Sequence, residues 1–156
     1  MYIVKDNLAF APAAIIRQLL VDLGLGFNPV GGDQATLDWS CFYGQEPDRP
    51  DECITVFTTE GQDDGRSMMD GEIWHHYGIQ IRLRARDERT GYAKLSGIRK
   101  TLSQGVYRRQ VTVGPNVFQI QCGAKFSSVL PLGKDISTSK RQLFTLNFIA
   151  WIDQLN

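Results

Sequence analysis

The chain has 156 residues, with 17 Lys+Arg against 17 Asp+Glu and 42% hydrophobic against 22% charged residues. That balance suits one globular domain, residues 1–156, with a core of its own, and argues against wholesale disorder. Formal neutrality gives no global electrostatic case for gripping nucleic acid or an anionic membrane.

The opening Met1–Asn7 lacks the basic start and long apolar run of a signal peptide, and no apolar run approaches the ~20 residues that span a bilayer, so a cytosolic chain is expected. Pro12 suits a first helical turn. From there Ile15, Ile16, Leu19, Leu20 and Leu23 recur at helical spacing, with Arg17, Gln18 and Asp22 on the other side and Gly24 as the stop. Leu25 to Gln34 reads as a turn-rich connection. Gly24-x-Gly26 does not open a dinucleotide loop, because it follows a helix and Pro29 stands where the third glycine belongs.

Leu37 to Tyr43 alternates as a strand and Cys53 to Thr58 makes a second one, rich in Val, Ile, Thr and Phe. The polar stretches Gly44–Glu52 and Glu60–Gly71 read as loops. In the next strand Ile79, Ile81, Leu83 and Ala85 share one face, while Gln80, Arg82, Arg84 and Arg86 share a face expected to meet solvent. After Asp87–Thr90 the period turns helical through Tyr92, Leu95, Ile98 and Leu102, with Gly105 as the expected cap.

Tyr107–Val113 and Val117–Phe126 read as a strand pair turned at Gly114–Asn116, and Ser127–Arg141 as a loop. A final strand, Gln142 to Ile152, puts Phe144, Leu146, Phe148, Ala150 and Ile152 on one face. The expected fold is α+β: a single mixed or largely antiparallel β-sheet with two main helices packed on one face.

Catalytic and metal signatures are weak. His75 and His76 are adjacent on a strand and point to opposite faces, with no metal-ligand spacing around them. Asp63, Asp64, Asp70 and Glu72 share a glycine-containing stretch, but not at the offsets of a calcium loop. Cys41, Cys53 and Cys122, odd in number and set in apolar patterns, read as buried free thiols. Arg82, Arg84 and Arg86, with Arg99, Lys100, Arg108 and Arg109 following, suit pairing with the acidic loops, an acidic partner surface or phosphate.

Arg49–Pro50–Asp51–Glu52–Cys53–Ile54–Thr55–Val56–Phe57–Thr58–Thr59–Glu60–Gly61 resembles the proline-aspartate, strand and T-x-G passage of the tail terminator proteins of long-tailed bacteriophages, also called tail completion or minor capsid proteins. Gly65–Glu72, His76–Ala85, the helix start Gly91–Lys94 and the ending Arg141–Phe148 are similar to the same family's pattern. The resemblance implies a non-enzymatic virion protein with no cofactor or metal. Such proteins form a homo-oligomeric ring, usually hexameric, that caps the tail tube protein and ends its polymerisation. The ring then meets the head–tail connector or stopper protein, at the tail–neck junction of a virion assembled in the host cytoplasm. Phage DNA passes through the lumen without specific binding, and no membrane is involved.

On that reading Asp63, Asp64, Arg66, Met68, Met69, Asp70, Arg82, Arg84 and Arg86 are the expected subunit or tail-tube contacts, since a ring needs two different patches on each copy. The alternatives are a neck head-completion or stopper protein, a small enzyme using one of the cysteines, and a nucleic-acid-binding module with steeply salt-dependent affinity.

Overall fold

Helix α1 (Pro12–Asp22) starts on Pro12 and ends at Leu23, followed by Gly24 at φ 74°. Its stripe Ile15, Ile16, Leu19 and Leu20 is fully buried. The structure, a computed structural model, describes residues 8–29, 38–48, 50–66, 73–134 and 141–155.

The strands are β1 (Ser40–Tyr43), β2 (Cys53–Arg66), β3 (Ile73–Ala85), β4 (Arg109–Val113), β5 (Asn116–Phe126), β6 (Leu130–Lys134) and β7 (Gln142–Gln154), with helix α2 (Glu88–Gly105) between β3 and β4. They form one mixed, curled sheet in the order β1-β2-β3-β7-β5-β4, with β6 also paired to β7. Among the described strand pairs β1–β2 is parallel, and β2–β3, β3–β7, β5–β7, β4–β5 and β6–β7 are antiparallel. This is the expected α+β architecture.

Strand alternation sets the core. Leu83 lies between Ile54 and Phe144, Ile81 between Val56 and Leu146, and Ile79 beside Phe148. Ile120 sits beside Ile152. These side chains join Ile15, Ile16, Leu19 and Leu20 of α1 and Leu95, Ile98 and Leu102 of α2 in one cluster, so both helices cover the same face. Each fully buried Leu, Ile or Phe contributes on the order of 1.5–3 kcal/mol.

The start of α2 is capped by Asp87, which accepts a bond from Thr90 N at 2.8 Å and another from the Thr90 hydroxyl at 2.9 Å. Tyr92, expected in the buried stripe, is 51% exposed, and Gly91 is the buried residue of that turn. Space is the reason: a Cβ on Gly91 would run into the ring of Phe144 and come within 2.9 Å of the Ala85 Cβ. Gly105 is the last helical residue rather than a cap beyond it, and the extended, buried Val106 makes the exit.

Two further expectations are corrected. The strand expected over Leu37–Tyr43 is formed over Ser40–Tyr43 only; Trp39 precedes it with φ 64°, and Leu37 lies outside the described residues. The stretch Ser127–Arg141 is not simply loop, because β6 lies within it. Asn147 N donates to Ser127 Oγ at 2.9 Å and Ser127 N to the Asn147 carbonyl at 2.8 Å, so β5 and β6 run in succession along one edge of β7 across an irregularity. Pro131, which has no N–H, is tolerated on such an edge strand.

Candidate functional site

Alternation on β3 directs Arg82 and Arg84 to the face opposite the helices, as expected. That face is not wet at Arg84, which is only 2% exposed. The polar stretch leading into β2 folds back over it. Arg84 Nη2 donates to the Pro50 carbonyl at 2.6 Å and Nε to the Asp51 carbonyl at 3.4 Å. A buried guanidinium needs such acceptors, and here the backbone supplies them.

Arg86, just past β3, is exposed and pairs with Asp38 at 3.3 Å, with longer approaches to Asp51 at 3.8 Å and Glu52 at 3.9 Å. Arg82 reaches Glu46 at 3.9 Å. The stripe is thus largely engaged within the chain itself at the foot of the sheet, Arg82 and Arg86 with carboxylates and Arg84 with backbone carbonyls.

Sequence reasoning missed Arg141. It is 8% exposed and grips Asp51 with Nη2 at 2.7 Å and Nε at 3.0 Å, with Asp48 at 3.6 Å. Its partner lies 90 positions away in the chain, so no local pattern signals it. Glu52 sits in the same cluster with its carboxyl pushed above the usual range, first by burial and then by the repulsion of Asp38; Arg86 pulls the other way.

The other candidate patch lies at the opposite end of the same strand pair. Glu60–Gly71 was expected as a loop, but β2 runs on to Arg66, with Gln62 opposite His76, Asp63 opposite His75 and Arg66 opposite Ile73. The described part is therefore a two-stranded arm. Pairing of β3 with β7 ends at His76–Trp151; beyond it β7 runs on with β5 to Gln154 while the arm keeps to its own two strands, so the arm parts from the body of the sheet there. A bulge between Thr59 and Gln62 turns it, and Gly78 lies at that bulge because any Cβ there would strike the Glu60 carbonyl and the Thr59 hydroxyl.

Asp63, Asp64 and Arg66 are strand residues of the arm, whereas Met68, Met69 and Asp70 lie outside the described residues. From Ile73 to Arg84 the strand covers roughly 35 Å, so the two expected patches are kept apart.

The thiols are poor nucleophiles. Burial pushes Cys41 and Cys122 up to about 12 and Cys53 up to about 11, and a thiolate is the reactive form. All three are buried and free, as the sequence suggested. His76 packs edge-on against Trp151 at 6.2 Å. Among the described residues no group of three or more His, Cys, Asp or Glu could hold a metal ion, and no helix is long and apolar enough to cross a membrane.

A family model described as bacteriophage tail terminator protein matches residues 19–154. No curated protein matches the chain at a significant level. The family match takes in every strand, helix α2, the arm and the arginine cluster.

Proposed function

The chain belongs to the bacteriophage tail terminator family, structural proteins of the virion, and we propose that it forms a ring, in the usual case a hexamer, on the last ring of the tail tube. That ring ends tube polymerisation and offers its other side to the head–tail connector or stopper, placing the protein at the tail–neck junction after assembly in the host cytoplasm. The observation that carries this reading is the family match over residues 19–154, all but the ends of the chain.

The geometry supports it in two ways. The outer part of the β2–β3 arm parts from β7, leaving it no strand neighbour on that side among the described residues and so an edge that a neighbouring molecule can meet. The arginine cluster fastens Glu46, Asp48, Pro50, Asp51 and Glu52 to the sheet, so their surface is presented as a fixed shape rather than a loose loop. Arm residues Asp63, Asp64 and Arg66, together with Arg82 and Arg86 at the foot, are the proposed contacts to the next subunit or the tube. Met68, Met69 and Asp70 extend that proposal beyond the described residues. Arg84 supports the surface from beneath.

Particles assembled without this protein test the reading. Tails that outgrow their normal length and stay unattached to heads, with both defects cured by adding the purified protein, are the expected result. Normal-length tails joined to heads in its absence would overturn it.

A further inference from the structure

The charges of this neutral chain are sorted along it. Residues 33–72 carry eleven acidic and two basic side chains, and residues 73–141 carry thirteen basic and three acidic. At the foot of the sheet the two signs meet within the subunit, where Arg82 reaches Glu46, Arg86 pairs with Asp38 and Arg141 pairs with Asp51. Towards the arm's end of the sheet they fall on different strands. The described arm strand from Glu60 to Arg66 holds three acidic residues and one arginine. Beyond Gln62 it extends four residues, about 13 Å at strand rise.

The basic counterpart is a corner at the start of β4. Tyr107 is 68% exposed, and Arg108 and Arg109 are exposed beside it. Arg108 has a left-handed backbone at φ 50°, an uncommon conformation for a residue other than glycine and one that clusters at functional sites. Its guanidinium lies 5.5 Å from the Tyr107 ring. With Gln119, Gln121, Trp151 and Asp153 it lines a cavity of about 160 Å³, in which Asp153 is the one carboxylate among the described residues. β4 is the last strand in the sheet order and β2 the second, so donor arm and receiving corner belong to different parts of every copy.

We propose that the Tyr107–Arg109 corner of one copy receives the acidic Glu60–Arg66 strand of the arm from the next copy. The proposal rests on the ring reading above and names the contact that closes the ring. Each copy gives an arm and takes one, which is the heterologous interface a closed ring repeats. The opposite charges fix which surfaces meet and in what register. A pair of arginines beside a carboxylate is short for a phosphate track, which is why the partner assigned is the acidic strand and not nucleic acid.

The test uses the full chain and two charge reversals, Asp63→Lys/Asp64→Lys on the arm and Arg108→Glu/Arg109→Glu on the corner. Circular dichroism melts establish that each variant folds, and native mass spectrometry with light scattering reads assembly, alone and with tail-tube protein. Each variant alone is expected to lose about tenfold or more in association. An equimolar mixture restores rings containing both variants in equal number, because every reversed surface then meets a reversed partner.

Rings formed by either variant alone at wild-type concentrations, or two folded variants that stay apart when mixed, overturn the proposal. So does a corner variant that keeps its rings but loses salt-dependent retention of duplex DNA. Wild-type protein that forms no ring with or without tubes overturns the ring reading itself, a separate result.

Discussion

Alanine is the better helix former, so Gly91→Ala inside α2 would gain about 1 kcal/mol from backbone terms alone. The packing opposes it. The new Cβ would press into the ring of Phe144, itself 1% exposed and held between strands, and come within 2.9 Å of the Ala85 Cβ. Overpacking of a filled core costs about 1–3 kcal/mol, and neither a buried ring nor a backbone-fixed methyl group can swing clear. The expected net effect is destabilisation by up to about 2 kcal/mol, at about 2–4 °C in Tm per kcal/mol for a domain of this size.

Gly97 supplies the control on the same helix. It is exposed, and a Cβ there meets nothing within 4 Å, so Gly97→Ala shows the propensity gain without the clash, stabilising by about 0.5–1 kcal/mol. Thermal melts of the two variants beside wild type decide the matter. A Gly91→Ala melt at or above wild type would refute the close approach of α2 to β3 and β7.

Arg84→Met keeps most of the side-chain volume but strands the Pro50 and Asp51 carbonyls. The expected cost is about 2–3 kcal/mol, offset in part by relief of the buried charge, and read as a lower denaturation midpoint with faster amide exchange at Asp51 and Glu52. For Glu52 the folded-state carboxyl titrates above its unfolded value, so its contribution is fully present below the unfolded value and is lost as pH rises through the folded one. Glu52→Gln should therefore match or exceed wild-type stability near neutral pH and lose that advantage below the ordinary glutamate range; urea midpoints across pH 3–8 check the sign. Cys41, Cys53 and Cys122 should resist alkylation at pH 8 until denaturant is added, and a thiol that reacts in the native protein would contradict the burial that pushes all three up.

The core was legible because its residues obey simple periods. Ile79, Ile81 and Leu83 alternate, as do Phe144, Leu146 and Phe148, and Leu95, Ile98 and Leu102 step at helical intervals, so faces follow from geometry alone. The arm was not. Thr59–Glu60–Gly61–Gln62–Asp63–Asp64–Gly65–Arg66, beyond the expected strand end at Thr58, has no apolar alternation and is poor in strand formers, yet β3 supplies its ladder partners. β6 failed to register for the same reason: Leu130–Lys134 contains Pro131 and Gly133, and its order comes from β7.

Of the candidate contacts, the arginine triplet was found by alternation, but its environment was not. Whether Arg84 faces water depends on where Pro50 and Asp51 fold, and that is tertiary. Arg141 and the Arg108 corner depend on partners far along the chain, which no window of sequence contains.

Negative-stain imaging of purified protein mixed with self-assembling tail-tube protein tests the central claim most directly. The account predicts rings seated on tube ends and tubes that shorten as more protein is added. Tubes that grow to the same length with bare ends, beside protein that stays free, would contradict it.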